Sequence, residues 1–320
     1  MDEGRGCGVS GWEMDDEAAR AAEEAFAFHP PERLRGRIWP WLRPWVNRLG
    51  AAGMALATGG YSWLVSPFRV EFTEVRMPLR GLGRAFEGFR IVQMSDLHVR
   101  RNTPAGYLRE VIKRINGMEC DLVCVTGDIV SSRMKGVGAA CELLGELRKP
   151  TVVSLGNHDY SQRGHTWQGT EIAEALEAGL KGRDVRVLRN GSMAVERGGS
   201  RVWVVGMEDY WSALFSARQA FAGIEEGEPI IALSHNPDTV YALEYFGAQW
   251  VLSGHTHGGQ IRLPYVEPLV LPMRSKQFDQ GLFRVGNSRL YVNRGVGFRL
   301  QVRFRCRPEV TSFVLEGEGC

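Results

Sequence analysis

Six short apolar runs, each ended abruptly by a polar residue or a glycine, constrain this 320-residue chain more than any other feature. They are Arg90–Ser95 (RIVQMS), Asp121–Thr126 (DLVCVT), Thr151–Leu155 (TVVSL), Val202–Val205 (VWVV), Ile230–Ser234 (IIALS) and Trp250–Ser253 (WVLS). A strand with one face in water alternates apolar and polar residues, whereas an unbroken run suits a strand covered on both faces. Helical patterns separate the runs. Thr103-Pro104 reads as an N-cap and first helical residue ahead of a stripe of Leu108, Val111, Ile112 and Ile115, and further helices are predicted over Glu171–Leu180 and Pro237–Phe246. The alternation predicts an α/β domain with its functional residues at the C-terminal ends of the strands.

Composition narrows the class without naming a function. With 44% hydrophobic and 24% charged residues, a disordered chain, a collagen-like repeat and a long coiled coil are excluded. Lys plus Arg total 39 against 37 Asp plus Glu, so no basic surplus points to a nucleic-acid partner. Cys120 and Cys124 lie roughly 13 Å apart at strand rise, beyond the reach of a disulfide, and read as buried hydrophobes.

The near-neutral total hides a polarised N-terminus. Residues 1–32 are acidic and Ala-rich; from Arg33 the sign flips, with Arg33, Arg35, Arg37, Arg43 and Arg48 among Trp39, Trp41 and Trp45. Leu49–Phe68 then carries no charge, which is about the length of a bilayer-spanning helix, although four glycines interrupt it and Pro67 closes it. The expected organisation is an acidic segment (1–32), a Trp-rich membrane-associated anchor (33–69) and a catalytic domain (70–320). An arm lying in the interface keeps the domain on the cytoplasmic face; a single span would place it on the exported side. The alternative is an amphipathic arm folded onto the domain.

Polar residues at the strand ends carry the chemistry. Ser95-Asp96-Leu97-His98 follows the first run, Gly127-Asp128 the second, Gly156-Asn157-His158-Asp159 the third, His235 the fifth and Gly254-His255-Thr256-His257 the sixth. Of 7 histidines, all but His29 and His165 stand directly after such a run. Imidazole and carboxylate without thiolate suit Mn²⁺, Fe²⁺ or Zn²⁺ and argue against structural zinc. The set is too large for one ion and sufficient for two. Two ions sharing a carboxylate suit hydrolysis of a phosphate ester or anhydride, whose transition state is heavily charged.

These blocks, in this order over roughly residues 85–315, resemble the calcineurin-like metallophosphoesterases. The resemblance implies a two-sheet sandwich flanked by helices. It also implies one metal held by Asp96, His98 and His257, a second by Asn157, His235 and His255, and Asp128 bridging them. Water activated between the ions would attack phosphorus in line, His158 would serve the leaving oxygen, and Asp159 would orient its ring. Gly258-Gly259-Gln260-Ile261-Arg262-Leu263-Pro264 and Arg307-Pro308-Glu309 resemble one bacterial branch. That branch contains membrane-associated phosphodiesterases and, in chlamydia-type bacteria, a UDP-2,3-diacylglucosamine pyrophosphohydrolase of lipid A synthesis. The expected substrate is therefore a lipid-linked phosphodiester or pyrophosphate, with UDP-2,3-diacylglucosamine the sharpest choice. A broad phosphodiesterase or phosphatase, and a metal-binding scaffold without turnover, are the rival readings.

Several neighbours are candidates for the pocket wall: Arg100 and Arg101, His165 with Trp167, and Glu208-Asp209-Tyr210-Trp211. Thr256, Gly254, Gly258 and Gly259 are expected to shape the backbone around the ligands.

Overall fold

The computed structural model describes residues 58–99, 104–163, 166–262, 277–298 and 301–318. The chain divides into two units, Met1–Thr58 and Gly59–Cys320, and all described residues but Thr58 belong to the second. The acidic segment and the Trp-rich stretch up to residue 57 lie outside the described residues.

The strands are β1 (Glu71–Leu79), β2 (Arg90–Met94), β3 (Leu122–Thr126), β4 (Thr151–Ser154), β5 (Ser161–Arg163), β6 (Thr166–Gly169) and β7 (Val185–Val187). They continue with β8 (Gly191–Arg197), β9 (Ser200–Gly206), β10 (Ile230–Leu233), β11 (Trp250–Ser253), β12 (Gly281–Val285), β13 (Ser288–Val292) and β14 (Glu309–Gly317). One six-stranded sheet has the order β1-β14-β2-β3-β4-β7 and the other β12-β13-β11-β10-β9-β8, with β5 and β6 forming a separate ribbon. Among the described residues, the α-helices that follow β1 are α1 (Ala105–Asn116), α2 (Val137–Leu144), α3 (Glu171–Leu180), α4 (Ala217–Ala220) and α5 (Val240–Tyr245).

The unbroken apolar runs have a direct cause. In β3, Val123 and Val125 join the core shared with α1, α2 and α3, while Leu122 and Cys124 face the other sheet. In β10, Ile231 and Leu233 enter the core between the sheets, and Ile230 and Ala232 pack with Val240 and Leu243 of α5. Each sheet is thus covered on both faces, giving helix, sheet, sheet and helix layers. Beneath the strand ends, buried Gln93 of β2 donates to Thr126 Oγ1 (2.9 Å) and to Ser253 O (3.0 Å), tying the sheets together.

Two local features differ from the sequence expectation, and the cysteines agree with it. The helix after Pro104 begins at Ala105 with Pro104 as its cap residue, and Thr103 lies outside the described residues. The predicted Pro237–Phe246 helix is a 3-10 turn, Pro237–Thr239, followed by the short α5, because Asn236 Oδ1 caps Asp238 N and starts the turn tightly. Cys120, Cys124, Cys141 and Cys306 are buried free thiols.

Residues 59–68 end the uncharged stretch and pack on the domain. Ser62, Ser66 and Pro67 are buried, and the Phe68 ring meets Tyr107 and Phe298 at centroid distances of 5.3 and 5.7 Å. Among the described residues, no helix is long and apolar enough to cross a membrane.

Candidate active site

Parallel pairing carries the ends of β2, β3 and β4 in one sheet, and of β9, β10 and β11 in the other, to one edge of the sandwich. The backbone there departs from ordinary conformations. Asp96 (φ 53°), His98 (48°), Asp128 (53°), His255 (73°) and His257 (51°) all lie in the left-handed region. Such conformations cost energy in a residue with a Cβ and persist only where the surroundings over-determine them. Backbone hydrogen bonds do so: Asp96 N to Gly127 O (3.0 Å), His98 N to Asp128 O (2.9 Å) and Gly254 N to His235 O (3.1 Å). Gly127 is required twice. Its φ is +79°, and a Cβ there would lie 2.6 Å from His235 Nδ1 and 2.7 Å from Gly156 N.

The side chains converge. His98 Nε2 lies 3.0 Å from His257 Nε2, and His257 Nε2 lies 3.4 Å from Asp96 Oδ1. Asp128 Oδ2 stands between two imidazoles, 3.5 Å from His98 Nε2 and 3.3 Å from His235 Nε2. His235 Nε2 is 4.0 Å from Asp96 Oδ1 and 3.2 Å from His255 Nδ1. Two groupings fit a metal ion, Asp96 with His98 and His257, and Asp96 with Asp128 and His235. Asn157 is buried on the neighbouring turn, and its Oδ1 has no hydrogen-bond partner among the described residues.

These groups fit cations. His235 Nδ1 meets Thr126 O at 2.8 Å; as the donor there, a neutral ring turns its Nε2 lone pair toward Asp128. With the other rings also turning lone pairs inward, acceptors would face acceptors across 3.0–4.0 Å, an arrangement that a cation at the centre satisfies. Burial holds His98 and His257 well below the usual imidazole range, so both offer lone pairs. His235 differs: burial opposes its charge, but Asp128 and then Asp96 overcome this and push it up to about 10.

A measurable linkage results. Without metal, His235 is protonated below about pH 10, and its pairing with Asp128 stabilises the fold fully below pH 6.5 and is lost as pH rises through about 10. Metal requires the neutral ring, so Mn²⁺ uptake at neutral pH is expected to release about one proton. Calorimetric titration in two buffers of different ionisation enthalpy checks this, and identical apparent enthalpies would contradict it.

His158 is half-buried, its ring 5.2 Å from that of His98, with its N–H donating to Asp128 Oδ1 (2.8 Å). Its Nδ1 pairs with Ser132 Oγ at 2.7 Å. Asp159 therefore does not orient this ring, contrary to the sequence expectation. Its two oxygens accept the backbone N–H groups of Val130 and Gly156, each at 2.9 Å, because the sharp Gly156–Asp159 turn leaves those donors buried. Burial and the charge of Asp128 push the Asp159 carboxyl up to about 7. Ser131, whose Oγ is 3.3 Å from His98 Nδ1, and Ser132 went unrecognised in the sequence, where serines after Val130 carry no distinguishing pattern.

Thr256 shapes its turn, accepting from Gly258 N and donating to Asp279 O. A Cβ on Gly254 would meet Asp96 Oδ2 at 2.4 Å. Of the candidate wall residues, Trp211 meets the His255 ring and Asp209 is buried. Glu208 is engaged by Arg189 and Tyr160. Arg100, Arg101 and His165 lie outside the described residues, as does the side chain of Trp167.

Residues 89–259 match the family model described as calcineurin-like phosphoesterase. The chain belongs to this family. An uncharacterized metallophosphoesterase of Bacillus subtilis, YkuE, is 32% identical over 274 residues, covering 83% of this chain and 93% of its own. The Escherichia coli phosphodiesterase YaeI is 31% identical over 230 residues, 71% of this chain and 82% of its own. The UDP-2,3-diacylglucosamine pyrophosphatase LpxG of Chlamydia trachomatis is 29% identical over 270 residues, 70% and 82% of the two chains. This calcineurin-like phosphoesterase is accordingly a metal-dependent phosphoester hydrolase.

Proposed function

We propose that the chain cleaves a phosphodiester or pyrophosphate using two divalent ions, Mn²⁺ first among them and Fe²⁺ or Zn²⁺ as alternatives. The observation that carries this is Asp128 Oδ2, placed between His98 and His235 where it serves both metal positions. Asp96, His98 and His257 would hold one ion; Asn157, His235 and His255 would hold the other. Bound there, the ions supply Lewis-acid polarisation of the phosphoryl group and lower the pKa of water. Asp128 Oδ1 fixes the backbone of His158, and Ser132 fixes its ring. The half-buried His158 stands ready to hand a proton to the leaving oxygen.

The likeness to LpxG supports a lipid-linked substrate, with UDP-2,3-diacylglucosamine giving UMP and a lipid monophosphate. Exposed Tyr61, Trp63, Leu64 and Val65, next to Arg69, support a membrane-surface role for residues 33–69; an arm lying in the interface would keep the domain on the cytoplasmic face. The resemblance to YaeI favours a second reading, a broader phosphodiesterase.

Turnover of UDP-2,3-diacylglucosamine, a soluble phosphodiester and a phosphomonoester with Mn²⁺ separates these readings. The lipid nucleotide is expected to give the highest kcat/KM, and a protein inert to all three would defeat the proposal. A chain lacking residues 1–58 tests the arm. The cut belongs before Gly59 because Ser62 O accepts the N–H of buried Arg303 at 2.9 Å. Reduced membrane recovery is expected even though Tyr61–Val65 remain; unchanged recovery would count against a membrane role for the stretch before Gly59.

A further inference from the structure

Among the described residues, large exposed apolar side chains gather at 61–65 and 210–214, and Tyr241 and Tyr245 form a further exposed pair on α5. Single exposed hydrophobics are ordinary, whereas a cluster marks a contact surface. The second stretch stands at the metal ligands. The Trp211 ring meets the His255 imidazole edge to face, with centroids 4.7 Å apart and planes at 81°, and Trp211 remains 37% exposed. Tyr210 and Leu214 in the same loop are 41% and 42% exposed.

This loop is built rather than loose. Asp209 Oδ1 accepts the Trp211 N–H at 2.8 Å, and Ser212 Oγ donates to Asp209 O at 2.7 Å. Asn190 ties the loop's ends, accepting from Glu208 N and Ser216 N at 3.1 Å each and donating to Leu214 O at 2.6 Å. Glu208, Asp209 and Ser212 are buried, with Asp209 Oδ2 left without a hydrogen-bond partner among the described residues. The loop therefore turns mostly apolar area toward solvent beside the ligands, and its bracing fixes that area before any substrate arrives.

We propose that Trp211, with Tyr210 and Leu214 beside it, is the specificity-determining wall that packs against a hydrocarbon chain of the substrate. This rests on the phosphohydrolase reading and narrows it: the chain belongs to an alkyl or acyl substituent near phosphorus. A nucleobase would need polar partners for its edge, and the loop's large exposed side chains, Tyr210, Trp211 and Leu214, are mostly apolar. A chain needs only apolar area, and each buried methylene contributes about a fourfold gain in affinity.

The test uses full-length protein with Mn²⁺ and p-nitrophenyl phosphodiesters whose second ester is methyl, butyl or octyl, so that the leaving group is constant. The kcat/KM of the unmodified protein is expected to rise at least about tenfold from methyl to octyl. Trp211→Gln, similar in length but polar, is expected to reduce that ratio to within about twofold. Trp211→Phe should keep most of it. Tyr245→Ala, a change at an 83% exposed residue outside the site, should keep both the activity and the ratio. A flat chain-length profile in the unmodified protein, or a ratio surviving in Trp211→Gln, overturns the proposal while the hydrolase reading stands. Absence of turnover on every ester overturns the hydrolase reading and this proposal with it.

Discussion

Asp128→Asn is expected to lower kcat/KM on a phosphodiester by on the order of 10³-fold, equivalent to ~4 kcal/mol of transition-state stabilisation, while the protein stays folded. The substitution separates charge from shape. An amide oxygen can still accept the His158 N–H now held by Asp128 Oδ1 at 2.8 Å, so the His158 turn keeps its anchor. What is lost is the anionic Oδ2 between His98 and His235, at 3.5 and 3.3 Å, which an amide cannot replace as a shared ligand. Without metal the change also frees His235 from the partner that most raises its pKa, so the apo imidazole should titrate lower. Steady-state kinetics, metal content after dialysis and a denaturation midpoint together check the expectation. Unmodified turnover with two ions retained would remove Asp128 from its assigned place.

The strand ends were legible because two physical rules coincide in the sequence. Strands buried on both faces are unbroken apolar runs, and the polar residues that interrupt them fall at one edge of parallel sheets. Asp96, His98, Asp128, His235, His255 and His257 therefore stood out before any geometry was known. Pairing over long separations left no such mark. The parallel match of Glu71–Leu79 with Glu309–Gly317 joins the two ends of the domain, and nothing local in either segment specifies its partner. Helix α2 was missed for a different reason: VGAACELL is short, apolar nearly throughout and weakly periodic, so packing on α3 rather than its own pattern defines it. At the site, the resemblance implies that the aspartate of Asn157-His158-Asp159 serves the histidine. The turn instead directs Asp159 to buried amides and leaves the ring to Ser132, a choice made by backbone direction and invisible to residue spacing.

Arg303 left no signal either, and its replacement should have the largest effect on stability. Arg303→Met is expected to cost about 3–5 kcal/mol, read as a lowered urea midpoint with an unchanged slope. Arg303 is completely buried, and no carboxylate lies at ion-pair distance among the described residues. Its Nη2 donates to the carbonyls of Arg294 (2.9 Å), Gly295 (3.1 Å) and Gly297 (2.8 Å), and Nη1 reaches Cys306 O at 3.4 Å. Methionine keeps much of the volume but removes the guanidinium donors, and of these carbonyls Gly295 O keeps the N–H of Glu309. The loop so held lies directly on a metal ligand: Val296 N donates to Ser95 O (2.9 Å) and Gly297 N to Asp96 O (2.8 Å). A Cβ on Gly295 would stand 2.6 Å from Asp96 Cβ, so the loop backbone lies close against Asp96. Metal affinity should therefore fall by about 10–100-fold along with stability. Arg303→Lys is not expected to rescue either property, because a single ammonium cannot span carbonyls arranged for a planar fork. A methionine variant as stable as the unmodified protein, with unaltered Mn²⁺ affinity, would show that the 294–297 loop holds Asp96 without the guanidinium.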